Sequence, residues 1–265
     1  MAEAIRDIQK KCLGILAEID RVCRRAGIKY SLCGGSVIGY KLYKGFIPWD
    51  DDIDLMMTRE NYDRFLEVFP AEADPRYALM NYATAGEERV AALFSRVEDR
   101  ETSLHERIAG SRREGRVFID VTVFDDVRGP LDLKLARLRV GWTCARLYKN
   151  NGMIPGTGWK RRAAGLVPGN RDAKSRMRCY ARADEFCRRR SRRGAAPWCA
   201  ELLSSAYGDI IYEKRVFDEY DDILFDGVPT MIIRDWEDYL FMRYGRREFT
   251  ADIPEQEKST HLELE

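Results

Sequence analysis

The run Trp49-Asp50-Asp51-Asp52-Ile53-Asp54-Leu55-Met56-Met57 places the tightest condition on how this chain folds, because it sets four acids immediately before three apolar residues. Its second half alternates polar and apolar residues as a half-buried strand does. In a strand, Asp52 and Asp54 project from one face with Cα atoms about 6.5–7 Å apart, while Ile53 and Leu55 point into the core. A one-residue slip would exchange the two sets, so burial of Ile53 and Leu55 fixes the register. Two carboxylates then share one space, and one of them is driven toward its protonated form unless a cation lies between them. Mg²⁺ or Mn²⁺ suits such a pair, because these hard ions take oxygen ligands and reach proteins through a few carboxylates plus substrate phosphates. A solvated acidic turn is the plainer reading of the same residues. An EF-hand loop is excluded, since Leu55 stands where its glycine is needed and Asn61 where its bidentate Glu belongs.

A third acid lies in Val117-Phe118-Ile119-Asp120-Val121-Thr122-Val123-Phe124, a strand pattern. An Asp among β-branched and aromatic neighbours is costly to bury alone, so Asp120 needs a partner, either the same metal centre or an arginine. Upstream, Gly34-Gly35-Ser36 follows a short apolar run, and glycines there let backbone approach backbone or ligand closely. Carboxylates on neighbouring strands beside a glycine turn form an arrangement suited to metal-assisted phosphoryl or nucleotidyl transfer.

Around these residues the reading is helix, strand, helix, strand, helix, then more strands. Ile5, Ile8, Cys12, Ile15, Ile19 and Val22 place one apolar stripe on a first helix ending near Gly27. Ile28–Cys33 reads as a strand, Ser36–Tyr43 as a helix, and Thr58 as the N-cap of a helix carrying Tyr62, Phe65 and Phe69. Helical spacing returns at Leu131–Lys149, and Asn150 to Gly158 reads as a loop. Between Lys160 and Arg193 the chain carries thirteen basic residues against three acidic ones, although its net charge is only +1. Most of that segment reads as a helix from Asp172 to about Arg190. Its arginines serve either as a solvated face or as a receiver of anionic lipid head groups or a phosphate-bearing acceptor. Nucleic acid is disfavoured, because the whole chain is nearly neutral and has no reader motif.

Seven scattered cysteines without a C-x-x-C pair, and only two histidines, offer no zinc set and point to free thiols. No run approaches the roughly 18 apolar residues of a membrane span, and the first residues lack the apolar core of a secretion signal. The expectation is a cytoplasmic protein, with peripheral contact at the inner membrane face as an extension.

The run from Tyr30 to Gly39, joined with Lys44-Gly45-Phe46-Ile47-Pro48-Trp49-Asp50-Asp51-Asp52-Ile53-Asp54, resembles the signature of the LicD family. This family includes bacterial phosphocholine transferases and is related to fukutin-type transferases. The resemblance continues through Phe94-Ser95-Arg96-Val97 with Thr102 and through Phe118–Val121. It continues more faintly at Phe225-Asp226-Gly227, Tyr244-Gly245, Pro254 and His261. It implies a nucleotidyltransferase-like α+β fold, a mixed sheet flanked by helices, with a core at residues 1–126; residues 127–200, which lie outside the signature, read as a basic helical insertion, and residues 201–265 as a C-terminal segment packing back on the core.

It also implies a CDP-activated alcohol such as CDP-choline as donor, a cell-surface or lipid-linked glycan as acceptor, and a divalent ion on Asp52, Asp54 and Asp120. Gly34, Gly35 and Ser36 would hold phosphate, and Lys44 and Arg96 would balance its charge. Asp120 would be a proton acceptor or a third ligand, and Trp49 and Asp50 supports. A nucleotidyltransferase adding a whole nucleotide to a small molecule shares these residues. A non-catalytic adaptor for anionic membranes is the alternative from outside enzymes. A nucleotide-sugar glycosyltransferase is disfavoured, because it needs a nucleotide-binding βα domain before the D-x-D and only two helices and one strand precede it here.

Overall fold

The computed structural model describes residues 2–84, 93–108, 111–150, 166, 172–194, 196–204, 209–251 and 262–264. The first helix, α1 (Ala2–Ala26), forms on the expected stripe: Ile8, Cys12, Ile15, Ile19 and Val22 are all buried. It ends at Gly27, whose φ of +65° is a left-handed value that suits glycine. There follow β1 (Ser31–Leu32), α2 (Gly34–Tyr43), β2 (Asp54–Thr58), α3 (Arg59–Glu72), β3 (Tyr77–Met80), β4 (Ser95–Asp99), β5 (Leu104–Ile108), β6 (Ser111–Gly115) and β7 (Phe118–Val127). Then come α4 (Pro130–Asn150), α5 (Ala173–Ser191), β8 (Trp198–Ala200), β9 (Tyr212–Glu213), β10 (Tyr220–Phe225), β11 (Val228–Ile233), α6 (Trp236–Tyr244) and β12 (Leu262–Leu264).

The class is α+β, as the sequence implies. The chain divides into one compact unit of residues 1–79, 96–122 and 215–265, and a second of residues 80–95 and 123–214. In the first, the sheet runs in the order β1-β2-β7-β4-β3, with β1 and β2 antiparallel. Helices α2 and α3 lie on β2, and α1 packs on α3 and β11. Buried Ile53, Leu55, Phe65, Phe69 and Ile119 form part of its core. The hairpin β10–β11 turns on Asp226-Gly227, both at positive φ, the two-residue turn that matches strand twist. It is fastened to β1, where Tyr30 Oη accepts the Met231 N–H and Ser31 Oγ accepts the Ile233 N–H.

β1 is shorter than the apolar run suggests. Cys33 donates its N–H to Asp54 O at 2.8 Å, and the chain then turns at Gly34, φ +53°, so α2 starts two residues before Ser36. The charged hairpin β5–β6 and helix α6 have no counterpart in the sequence reading; the first lacks a clear apolar alternation and the second is short.

In the second unit, β7 from Val123 onward pairs with β8, which pairs with β9, both antiparallel. Helix α4 covers the helix expected from Leu131, and it packs on α5. The basic helix α5 matches its expected span, and Asp172 caps it by accepting the Ser175 N–H at 2.8 Å. The loop expected after Asn150, together with Lys160, Arg161, Arg162, Arg171, Pro254 and His261, lies outside the described residues. All seven cysteines are free thiols.

Candidate active site

Residues 50–54 are fastened from three sides within the first unit. From α1, Gln9 donates its Nε2–H to Asp50 O at 2.8 Å, and Cys12 Sγ lies 3.8 Å from Asp51 O and from Phe118 O. From β7, Asp120 donates its N–H to Ile53 O at 3.3 Å. From the glycine turn, Ser36 Oγ accepts the Asp54 N–H at 3.0 Å. Strand β2 itself begins only at Asp54, so Asp52 stands on the extended approach to it. The alternation nevertheless holds: Ile53 and Leu55 are fully buried, while Asp52 and Asp54 are half-buried.

This backbone forces like charges together. One carboxylate oxygen from each of Asp50, Asp51 and Asp52 lies within 4.8 Å of the others. Burial, then the charges of Asp52 and Asp51 and a hydrogen bond with Asp52, push the Asp50 carboxyl up to about 8. Burial also holds Asp54 well above the usual carboxylate range, reinforced by the charges of Asp52 and Asp120 and opposed by Arg243. Below them the Cys12 thiol is raised by burial and then by Asp52, Asp51 and Asp50, which makes it an inert part of the floor.

The glycine turn lies directly against these acids. A Cβ on Gly34 would sit 3.4 Å from Arg243 Nη2 and 3.5 Å from Asp54 Oδ2, and one on Gly35 would sit 3.4 Å from Asp50 Oδ2. Two of the groups expected at phosphate have protein partners: the Ser36 N–H donates to Cys33 O at 3.0 Å, and the Ser36 hydroxyl accepts the Asp54 N–H, while the Gly34 N–H donates to Tyr239 Oη at 2.9 Å. Arg96 pairs with Asp120, Nε to Oδ1 at 3.1 Å, with its guanidinium 3.6 Å from the centre of the Phe118 ring. The arginine partner considered for Asp120 is therefore present, and it brings a cation to the same cluster.

Lys44 stands apart. It closes α2 at the end opposite the glycine turn, about 15 Å along the helix axis. Its φ is +59°, its Nζ lies 4.3 Å from the centre of the Tyr40 ring, and its carbonyl accepts the Asp226 N–H at 2.9 Å. Asp226 Oδ2 also accepts the Phe46 N–H, and a Cβ on Gly45 would fall 2.3 Å from the Asp226 carboxyl carbon. Lys44-Gly45-Phe46 and Asp226-Gly227 are thus two halves of one clamp that leads the chain from α2 toward the acids. Trp49 is half-buried in the turn just before them.

Two participants were not singled out from the sequence, Tyr239 and Arg243 on α6. The signal available was the resemblance at Tyr244-Gly245, one residue beyond Arg243, but an arginine among 45 basic residues carries no mark of its own. The donor set fits a hard divalent ion: its ligand atoms are carboxylate oxygens, and burial together with their mutual repulsion raises Asp50 and Asp54, an environment that a bound cation would relieve.

Residues 27–129 match the family model described as LicD/FKTN/FKRP, nucleotidyltransferase domain. Over 124 residues the chain is 37% identical to the lipopolysaccharide cholinephosphotransferase LicD of Haemophilus influenzae, covering 46% of this chain and 45% of that relative. The chain therefore spans less than half the length of the curated relative it matches.

Proposed function

We propose, from its LicD-family domain at residues 27–129, that this chain is an enzyme that moves phosphocholine or a similar phospho-alcohol from a CDP-activated donor to a hydroxyl of a glycan. The observation that supports the reading is the packing of Asp54 against the glycine turn within electrostatic reach of Asp52, Asp120 and Arg243, next to the Asp50–Asp52 carboxylate cluster. Asp52, Asp54 and Asp120 would hold Mg²⁺ or Mn²⁺, which, when bound, supplies Lewis-acid stabilisation of phosphoryl charge.

The chain's own groups do the rest. The Gly34–Ser36 turn brings the N-terminus of α2 to the donor phosphates, where the helix end favours negative charge. Arg243 and Arg96 offset charge that grows on the phosphoryl oxygens and on the departing nucleotide. The acceptor oxygen forms a bond to the distal phosphorus, the bond from that phosphorus to the bridging oxygen breaks, and CMP leaves. The acceptor proton passes to a carboxylate, with Asp120 in that part or as third ligand. Asp120→Asn separates the two, since a lost ligand is offset by raised Mn²⁺ whereas a lost base changes the pH profile of kcat. Seven free thiols fit a reducing compartment, the cytoplasm.

The test is a screen of CDP-alcohols with Mg²⁺ or Mn²⁺, with and without extracted glycan. Metal-dependent CMP release that rises with glycan supports the reading. Pyrophosphate release from a nucleoside triphosphate would assign nucleotidyl transfer instead, and absence of turnover on every nucleotide donor would refute an enzymatic role.

A further inference from the structure

Helix α4 is apolar on two opposite faces. Leu133, Ala136, Val140 and Cys144 are buried, while Leu131, Leu135, Leu138 and Trp142 are 71%, 57%, 69% and 57% exposed. The exposed set falls at spacings of four, three and four, a continuous stripe about 16 Å long on one side of the helix. Single exposed leucines are ordinary, but four large side chains in register form a patch that marks an interaction surface. Exposed Lys134 flanks the stripe on one side and exposed Arg139 on the other.

Arg139 also opens a second feature. Between α4 and α5 lies a cleft of about 500 Å³ lined by Arg139, Arg178, Arg182, Arg189, Arg190 and Arg193, with Glu185 the one acid among its described lining. Phe186 lines it as well, with the Arg190 and Arg139 guanidinium carbons 5.4 and 5.9 Å from the ring centre. Arg190 is buried and ion-paired with Asp132, yet its Nε has no hydrogen-bond acceptor. Six arginines lining one cleft, two of them against the Phe186 ring, suit phosphate oxygens, which accept from guanidinium groups in forked geometry.

We propose that the second unit seats on an anionic lipid bilayer. The outer stripe of α4 enters the interfacial region, and the cleft between α4 and α5 takes lipid headgroup phosphate. An apolar stripe flanked by cations is the form of a helix lying in a membrane interface, with Trp142 suited to the headgroup level. Among the described residues no helix is long and apolar enough to cross a membrane, so the contact is peripheral. Charge complementarity selects this occupant over a second copy, because a twofold self-contact through α4 would set one arginine cleft beside another. The inference stands apart from the transfer reaction, since none of its residues belongs to the carboxylate cluster.

The test is sedimentation of the full chain with vesicles of equimolar phosphatidylcholine and phosphatidylglycerol, and with phosphatidylcholine alone. The protein is expected to pellet with the anionic vesicles at least tenfold more tightly, and with Trp142 emission shifted to the blue, a shift lost in Trp142→Phe. Leu135→Asp with Leu138→Asp is expected to abolish pelleting with melting temperature unchanged. Each arginine removed, as in Arg182→Gln and Arg193→Gln, is expected to weaken binding about fivefold. Asp54→Ala is expected to pellet like the wild type, which separates this outcome from any failure of the transfer reading. Failure to pellet, or equal pelleting by all variants, overturns the proposal. So does saturable binding of inorganic pyrophosphate without vesicle binding, or a dimer dispersed by Leu138→Asp in a chain that ignores vesicles.

Discussion

The acids at residues 50–54 and the arginines of α5 are both concentrations of one sign of charge, but they are built in opposite ways. The acids are held by buried backbone: hydrogen bonds from α1, β7 and the α2 turn set each residue in place, and half-burial removes much of the water that would screen them. Burial first, and then their repulsion, raises the Asp50 and Asp54 carboxyls toward neutrality. Apart from buried Arg190, the arginines project from a helix into an open cleft, where solvent and partners such as half-exposed Glu185 reduce the same repulsion. Charge crowded in the interior demands a counter-ion, whereas charge crowded on a solvated face only invites one.

Five substitutions and one titration sharpen that contrast. The largest effect is expected at the buried acids: Asp52→Ala or Asp54→Ala should lower CMP release by at least about a hundredfold with the circular dichroism unchanged. Retention of most turnover at saturating metal would detach the carboxylates from the chemistry. Next comes the rigidity of the backbone that carries them. A Cβ on Gly39 would fall 2.5 Å from Gly45 O, so Gly39→Ala should cost about 1–3 kcal/mol in urea unfolding.

The α4–α5 region should respond in the opposite direction. Gly141 lies within α4 with nothing inside 4 Å of an added Cβ, so Gly141→Ala should stabilise the chain by about 0.5–1 kcal/mol. The smallest effect belongs to an ordinary partnered carboxylate. Glu18 is held below its usual value of 4.5 by its hydrogen bond to Arg21. A depressed carboxylate contributes stability above its unfolded pKa and loses it as pH falls through the folded one. The melting temperature of Glu18→Gln should therefore lie slightly below that of the wild type at pH 7 and converge with it as pH falls through the lowered carboxyl pKa, below 4.5.

The acid site was legible because its determinants are local. Asp52, Ile53, Asp54 and Leu55 encode face and register in four consecutive residues, and Gly34-Gly35 announces a close approach that the Cβ distances to Asp54 and Asp50 bear out. The helical stripe of α1 and the cap at Asp172 were legible for the same reason. Arg243 and Tyr239 were not, since each reaches the glycine turn across about 200 residues of chain, and nothing in residues 236–244 records that contact. Lys44 shows the converse: its neighbours match the family motif, but its place at the far end of α2 gives it a backbone part in the clamp with Asp226. The exposed stripe of α4 escaped notice because spacing alone does not distinguish a helix with one apolar face from a helix with two.

The central claim is that the carboxylates around Asp54 form a divalent-ion site. Mn²⁺ titration of the full chain, followed by electron paramagnetic resonance of the free ion, tests it most directly. One saturable site in the wild type, lost in both Asp52→Ala and Asp54→Ala and competed by Mg²⁺, is the predicted result. Equal Mn²⁺ binding by all three proteins, or none by the wild type with or without CDP-choline, would contradict it.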